Sequence, residues 1–152
     1  MKLIKQPMFS LVYFILIIVM TAAPAFSADV GKTPKTDVKP LPHYISVTYF
    51  YTTVRCPTCH RIEELSSQTV KANFADELKT GNVVWRVINV DEPENKHYNK
   101  DYQLYTKSLI ISEVKDGKEL RWKNLEKIWT LVRNEEKFDN YVKTEIKDWL
   151  KE

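Results

Sequence analysis

The chain has 152 residues, of which 43% are hydrophobic and 28% are charged, a composition typical of a globular protein and not of a disordered one. Two of the 23 basic residues, Lys2 and Lys5, lie in an N-terminal leader, and the other 21 nearly balance the 20 acidic ones. This balance gives no electrostatic reason to bind nucleic acid. Three glycines are too few for a glycine-rich phosphate loop, which argues against nucleotide binding through such a motif.

The first 28 residues are arranged as an export signal. The basic start is followed by the apolar run Met8–Met20 and then by small residues. Cleavage fits after any of three small residues, Ala25, Ser27 or Ala28. Left uncleaved, residues 7–28 are just long enough to span a bilayer. We therefore predict a signal peptide or an N-terminal membrane anchor over residues 1–28, and in both cases an exported, periplasmic or otherwise extracytoplasmic protein.

Residues 29–42 contain three prolines, several lysines and few residues that would pack, so they are predicted to form an extended linker. The folded domain is predicted to occupy residues 43–152.

The domain is predicted to begin with a β-α-β unit. Tyr44–Tyr51 is rich in β-branched and aromatic residues and predicts a strand that is buried on both faces. One helix is predicted from Cys56 to about Leu78, because apolar residues recur along one side and Pro57 suits a first helical turn. A second buried strand is predicted over Val83–Val90, and a short helix over Lys96–Tyr102.

The second half predicts a hairpin and terminal helices. The runs Leu109–Val114 and Leu120–Trp122 flank the dipeptide Asp116-Gly117, which is a strong hairpin signal. Apolar residues then recur at helical spacing in Leu125–Val132 and in Phe138–Leu150. The order strand, helix, strand, helix, hairpin, helix predicts an α/β sandwich.

The two cysteines of the chain, Cys56 and Cys59, are separated by Pro57 and Thr58 at the predicted start of the first helix. This spacing brings two sulfurs within disulfide distance, and the partial positive charge of a helix N-terminus favours a thiolate. Cys56, at the exposed end, is therefore the predicted attacking thiolate. Cys59, one turn further in, is the predicted resolving thiol.

Charged neighbours are expected to assist this pair. Arg55 and, when protonated, His60 would favour the thiolate. Glu63, four residues after Cys59, is either a proton acceptor for the resolving thiol or an ordinary solvent-facing residue of the helix.

Three other uses of the two cysteines stay open. A structural disulfide would suit an exported protein, although so short a loop adds little chain-entropy stabilisation. Cys-x-x-Cys-His is also the c-type haem attachment motif, for which His43 or His97 would serve as a further axial ligand. A metal site would use Cys56, Cys59 and His60. These supply three ligands, and zinc usually takes four.

From the first strand to the hairpin, the chain resembles thioredoxin. The likeness covers Ile45–Trp122. Besides strand, Cys-x-x-Cys and helix, it rests on the aspartate-ended strand Val87–Asp91, on Asp101–Tyr105 before the loop that faces the active site, and on the hairpin Lys115–Gly117. The resemblance implies a thioredoxin-like three-layer sandwich with a mixed four-stranded sheet, the Cys-x-x-Cys motif at the N-terminus of the first helix and an extra C-terminal helix.

A closer resemblance is to the exported family labelled ArsF, or "nitrophenyl compound nitroreductase subunit". The matching segments extend over nearly the whole domain after the linker: Arg55–Cys59, Val90–Asn95, Lys100–Tyr105 and Arg121–Glu126. This resemblance implies a thioredoxin-like redox module, with a link to arsenic-related genes and to the reduction of nitroaromatics.

The chain departs from thioredoxin at two places. The dipeptide Pro57-Thr58 replaces Gly-Pro between the cysteines, so the direction of electron flow stays open. Thioredoxins carry a cis-proline facing the dithiol, but ungapped alignment puts Ser108 there, preceded by Lys107, and the last proline of the chain is Pro93. This absence strengthens the metal alternative. Lys107, if it faces Cys56, would further stabilise a thiolate.

Taken together, these features predict a monomeric thiol–disulfide oxidoreductase of the cell envelope that has no bound cofactor and binds no nucleic acid. Its predicted partners are exported protein thiols or disulfides, or a membrane redox partner, and the N-terminus is a candidate membrane attachment. The alternative from another class is a carrier that binds copper, zinc or arsenic through the thiolates of Cys56 and Cys59, with His60 assisting.

Overall fold

The computed structural model describes residues 41–151. The predicted leader, residues 1–28, lies outside these residues, and so does all of the predicted linker except residues 41 and 42. Within the described part of the chain, no helix is both long enough and apolar enough to cross a membrane.

The helices and strands of residues 41–151 follow the predicted order, with one additional break in a helix. They are β1 (His43–Tyr51), α1 (Pro57–Asn73), α2 (Ala75–Thr80), β2 (Val83–Asn89), α3 (His97–Asp101), β3 (Ser108–Lys115), β4 (Lys118–Asn124), α4 (Ile128–Leu131) and α5 (Glu135–Lys151). A single 3₁₀ turn, Pro93–Asn95, precedes α3.

The strands form one mixed sheet in the order β2-β1-β3-β4. β1 runs parallel to β2, with Ile45 opposite Val83, and the two are joined by the crossover helices α1 and α2. β3 is antiparallel to β1 on its other side, and β4 is antiparallel to β3. The predicted four-stranded mixed sheet is confirmed, and β1 lies in its interior beside both the crossover unit and the hairpin.

The hairpin between β3 and β4 turns at the dipeptide that the sequence singles out. Asp116 and Gly117 have φ angles of 50° and 76°. Two successive positive φ angles are those of a two-residue hairpin turn whose twist matches the strands, and they explain why aspartate and glycine stand there. The Asp116 amide also donates a hydrogen bond to the carbonyl oxygen of Pro42 at 2.6 Å, so the end of the predicted linker contacts this turn.

Helices cover both faces of the sheet because alternate residues of β1 point to opposite sides. Val47 and Tyr49 belong to a large hydrophobic cluster with buried residues of α1 and α5. Phe50 belongs to a smaller cluster with Ile110 of β3 and Tyr98 of α3. The result is a three-layer α/β/α sandwich, as predicted, with β1 buried on both faces.

The helix predicted from Cys56 to about Leu78 is in fact two helices. The break lies at Phe74, whose φ and ψ of −132° and 35° are not helical. No glycine or proline stands near the break, so the sequence carries no local signal for it. Phe74 is buried in the large cluster, and the side-chain amide of Asn73 donates to the carboxylate of Asp139 in α5. Tertiary packing therefore overrides the helical pattern at this point.

The C-terminal segment confirms the extra terminal helix. The helical spacing at residues 125–132 yields only the four-residue helix α4, whereas α5 extends over seventeen residues. Phe138, Val142 and Ile146 form the buried side of α5, at the i, i+4, i+8 spacing of one helix face.

Candidate active site

Cys56 and Cys59 form a disulfide at the start of α1, with their Cα atoms 5.1 Å apart. This separation lies within the ordinary range for disulfides. The two cysteines differ in their environment, because Cys56 is exposed while Cys59 is only 2% exposed. An attacking molecule therefore reaches the sulfur of Cys56 and not that of Cys59.

The first turn of α1 directs backbone N–H groups at Cys56. This residue is the N-cap of the helix, with φ and ψ of −90° and 162°, and Pro57 occupies the first helical turn. The amide of Cys59 contacts Cys56 twice, at 3.2 Å from the sulfur and 2.9 Å from the carbonyl oxygen. The first turn contains no acidic residue. Cys56 thus meets the positive end of the helix dipole, an environment that favours its thiolate over its thiol.

The loop that leads from β1 to Cys56 is held by the end of β2. The Thr53 amide donates to the carboxylate of Asp91 at 2.7 Å, and its hydroxyl accepts from the side-chain amide of Asn89 at 3.2 Å. The Thr52 hydroxyl donates to the carbonyl oxygen of Val54 at 3.0 Å. Val54 itself is 82% exposed. The acidic turn after β2 therefore positions the approach to the dithiol.

Arg55 makes contacts that the sequence does not predict. Its guanidinium donates to the carboxylate of Glu63 and lies 4.3 Å from the centroid of the Tyr51 ring and 6.0 Å from that of Tyr49. The side chains of Arg55 and Glu63 are only 15% and 26% exposed. The Nε atom of Arg55 is buried and has no hydrogen-bond partner within residues 41–151. The cation next to the dithiol is thus half-buried, paired with a carboxylate and stacked on aromatic rings.

Tyr49 contacts the backbone of Cys59, the predicted resolving cysteine. Its hydroxyl donates to the carbonyl oxygen of Cys59 at 2.8 Å, and the ring is fully buried. Burial raises the pKa of Tyr49 from 10.0 to about 12, although the positive charge of Arg55 acts in the opposite direction. The hydroxyl therefore stays protonated, and stays a donor to Cys59, at every pH at which the protein would work.

The other predicted residues of the motif lie on the surface of the first turn. Pro57, Thr58 and His60 are all exposed. The backbone amide of His60 donates to the carbonyl oxygen of Cys56 at 3.2 Å, which belongs to the helix start. The His60 side chain thus stands in solvent one residue after Cys59, and no described contact joins it to a sulfur atom.

Lys107 and Ser108 lie where β3 begins. Ser108 is buried and opposes Phe50 in the register of β1 and β3, near the end of β1 that leads to Cys56. Its hydroxyl donates to the carbonyl oxygen of Thr106 at 3.0 Å. The carbonyl oxygen of Lys107 accepts from the indole of Trp129 at 3.0 Å. No hydrogen bond or ion pair between the Lys107 side chain and the dithiol occurs among the described residues, so an effect of its charge on Cys56 stays a prediction.

A groove of about 350 Å³ opens beside Ser108. Four aromatic side chains form much of its lining, with polar groups between them: Tyr102, Tyr105, Trp122 and Trp129, together with Gln103, Thr106, Asn124 and Glu126. Because Ser108 faces the last residues of β1, the groove lies at the same edge of the sheet as the loop to Cys56.

The described part of the chain contains no preformed cluster of metal ligands. No group of three or more histidine, cysteine, aspartate or glutamate side chains converges there as a metal site. The set predicted for a metal comprises Cys56, Cys59 and His60, of which the first two are joined to each other in this structure.

Tyr49 is a site residue that the sequence does not single out, since the strand predicted over Tyr44–Tyr51 places it only among buried residues. It does belong to the core, and its hydroxyl also serves the carbonyl of Cys59. The signal available in the sequence was the residue type, because a buried tyrosine usually finds a partner for its hydroxyl whereas a phenylalanine needs none.

Several solved structures show a likeness to this chain, among them the following three. A thioredoxin from Fasciola hepatica is 20% identical, with a TM-score of 0.35, and the match covers 64% of this chain and 81% of that one. A thioredoxin mutant from Entamoeba histolytica is 19% identical, with a TM-score of 0.34 and coverage of 66% and 81%. A malarial protein is 14% identical, with a TM-score of 0.37 and coverage of 60% and 97%. No family model matches the chain, and neither does any curated protein. The thioredoxin-like architecture therefore rests on the strand order and on the place of the dithiol at the start of α1.

Proposed function

We propose that the chain is a thiol–disulfide oxidoreductase of the cell envelope, with Cys56 as the attacking thiolate and Cys59 as the resolving thiol. The observation that carries this proposal is the asymmetry of the bonded pair: Cys56 is exposed at a helix N-terminus, and Cys59 is buried one turn below it. A disulfide that only stabilises a fold requires neither an accessible sulfur nor amide groups directed at it.

The exchange proceeds in two displacements. In the reducing direction, the Cys56 thiolate attacks one sulfur of a substrate disulfide, so that a mixed disulfide forms and the other substrate sulfur leaves as a thiolate. Cys59 loses its proton and attacks the sulfur of Cys56, which restores the Cys56–Cys59 disulfide and releases the second substrate thiolate. Run backwards, the same two steps oxidise a dithiol substrate, and the redox potential of the pair decides which direction prevails.

The proposed substrates are exported protein thiols or disulfides, or a membrane redox partner. The export signal predicted over residues 1–28 supports this location, and these residues lie outside the described part of the chain. The resemblance to the ArsF family supports a redox module that works beside arsenic-related gene products. Both the location and this finer family assignment are parts of the proposal.

Paired serine variants test the mechanism. Cys56→Ser is expected to abolish disulfide reduction of insulin, whereas Cys59→Ser is expected to accumulate mixed disulfides with its substrates, because the resolving step is lost. The two variants make the same chemical change three residues apart, so each is the control for the other. Insulin reduction that survives in Cys56→Ser, or a complete absence of mixed disulfides in cells that export Cys59→Ser, would overturn the proposal.

The redox potential of the pair gives the direction of electron flow. Equilibration of metal-free protein with glutathione or dithiothreitol buffers would place the potential at about −270 mV for a reductant or at about −120 mV for an oxidant. The carrier alternative makes a different prediction for the reduced protein: it would retain stoichiometric copper, zinc or arsenic through purification, and both serine variants would lose the metal equally.

A further inference from the structure

The charges around Cys56 are arranged differently from what the sequence alone suggests. Arg55 is the neighbour of the attacking cysteine in the chain, yet its guanidinium is bound by the carboxylate of Glu63 and stacked on the ring of Tyr51. Both side chains are only partly exposed to solvent, Arg55 to 15% and Glu63 to 26%. At such a position, water screens charges weakly, so that both the positive charge and its neutralisation act strongly on their surroundings.

The pair lies at the start of α1, because Arg55 precedes the N-cap residue Cys56 and Glu63 belongs to the helix itself. Arg55 is close enough to the Tyr49 hydroxyl to affect its ionisation, and this hydroxyl contacts the carbonyl oxygen of Cys59 at 2.8 Å. Glu63 stands one turn after Cys59 on the same helix. The ion pair is therefore connected to both ends of the dithiol, through the chain to Cys56 and through Tyr49 to Cys59.

We propose that Glu63 is a positioning residue that sets the redox potential of the dithiol, by neutralising the charge of Arg55 and holding its guanidinium against the Tyr51 ring. The inference rests on the proposed function, since it concerns the same two cysteines. In this role Glu63 transfers no proton to or from a sulfur. It acts through its charge, which offsets that of Arg55, and through its hold on the guanidinium.

The sign of the effect follows from the half-reaction. The disulfide takes up two electrons and one proton and becomes a Cys56 thiolate and a Cys59 thiol. A positive charge near Cys56 stabilises the thiolate, and with it the reduced form, which makes the pair more oxidising. Glu63 cancels that charge and so keeps the pair more reducing than Arg55 alone would make it.

Two substitutions that each remove one charge test this sign, and they are expected to shift the potential in opposite directions. Glu63→Gln leaves Arg55 uncompensated and is expected to shift the equilibrium constant with glutathione about tenfold toward the reduced form, which is about 30 mV upward. Arg55→Gln leaves the carboxylate uncompensated and is expected to shift it downward by a similar factor. The double variant Arg55→Gln/Glu63→Gln is expected to return to within about twofold of the wild type.

Glu64 provides the matched control. It is the next residue of α1, and it pairs with Arg61 in an exposed ion pair at 2.9 Å. Glu64→Gln removes the same charge from the same helix, and Arg61 still contacts Glu135 at 2.8 Å. Because this pair is exposed to solvent, the substitution is expected to change the equilibrium constant by less than about twofold.

The rate at which iodoacetamide alkylates Cys56 in the reduced protein is a second readout. It is expected to rise in Glu63→Gln and to fall in Arg55→Gln at neutral pH, because the thiolate is the reacting form. Circular dichroism establishes that each variant is folded. If Glu63→Gln does not fold, Arg55→Gln and the double variant still test the opposed signs.

Two outcomes would overturn the inference: a shift of the potential in the same direction in both single variants, or equal shifts in Glu63→Gln and Glu64→Gln. Neither readout needs a substrate protein. If the wild type fails to reduce insulin but the variants show the opposed shifts, the proposed function is refuted and the role of Glu63 stands. If the wild type reduces insulin but the variants do not show the opposed shifts, the role of Glu63 is refuted and the proposed function stands.

Discussion

The hydrogen bond from Tyr49 to Cys59 makes a prediction with an unusual dependence on pH. Tyr49→Phe keeps the buried ring and removes only the hydroxyl, which donates to the carbonyl oxygen of Cys59 at 2.8 Å. Loss of one neutral hydrogen bond of this kind costs about 1 kcal/mol. At neutral pH, the oxidised variant is therefore expected to unfold in urea with a free energy about 1 kcal/mol below that of the wild type.

The difference is expected to disappear in alkali. The pKa of Tyr49 is about 12 in the folded protein against 10.0 for the free side chain, so the folded state keeps the proton that the unfolded chain loses. A raised pKa of this kind contributes stability that is complete below about pH 10 and is lost as the pH rises toward 12. By pH 11 the wild type has lost about 1.4 kcal/mol through this group, since one unit of pKa corresponds to about 1.4 kcal/mol. Phenylalanine loses nothing, so the two urea curves should meet near that pH.

Urea unfolding of both proteins from neutral pH to about pH 11 tests this reasoning. Tyr51→Phe is the control at neutral pH: it removes the same atom from the neighbouring half-buried ring, whose hydroxyl makes no hydrogen bond within the described residues, and it is expected to change stability by less than about 0.5 kcal/mol. A stability difference between wild type and Tyr49→Phe that stays constant up to pH 11 would refute the assignment of the raised pKa to this hydroxyl.

Three further predictions concern the surroundings of the site. Phe74→Ala is expected to destabilise the protein by about 3–5 kcal/mol in urea unfolding, because it leaves a cavity where α1 and α2 meet; a cost below about 2 kcal/mol would mean that the ring carries little of the packing there. Asp91→Ala is expected to speed hydrogen exchange of the Thr53 amide, which loses its acceptor, while Asp91→Asn keeps an acceptor oxygen and the slow rate; equal rates in both variants would contradict this. Hydrogen bonds from Arg121 and then from His43 lower the pKa of Glu113, so its carboxylate contributes stability above about pH 4.3 that is lost as the pH falls further. Glu113→Gln is expected to be less stable at neutral pH and to lose less stability than the wild type as the pH falls below about 4.3. An unchanged loss of stability in acid would contradict this assignment.

The main features of the fold could be predicted because each has a local signal. A run of β-branched and aromatic residues marks β1, and the Asp116-Gly117 dipeptide specifies the turn by its positive φ angles. The order of these elements then leaves few ways to build a sheet. The break at Phe74 had no such signal, because its helical neighbours contain no glycine or proline, and only burial against the rest of the core accounts for it.

The dithiol could be located from the sequence because the predicted attacking and resolving roles depend on the spacing of the cysteines and on the helix that begins there. The asymmetry of exposure between Cys56 and Cys59 follows from the same geometry, since one caps the helix and the other faces the core one turn later. The direction in which a long side chain points could not be predicted from the spacing of residues in the sequence. Arg55 has several rotatable bonds, and which partner it reaches depends on where the loop from β1 places it.

The contact between Arg55 and Glu63 changes the way in which the motif should be interpreted. A basic residue before the first cysteine suggests a strong electrostatic pull on the thiolate, but the carboxylate eight residues later offsets that charge within the same half-buried cluster. The backbone amide of Cys59 in the first helical turn still contacts the Cys56 sulfur, as a helix start of this kind provides. The residues that distinguish one such dithiol from another therefore include those that pair with its charged neighbours, and we expect a potential inferred from the motif letters alone to be too oxidising in this chain.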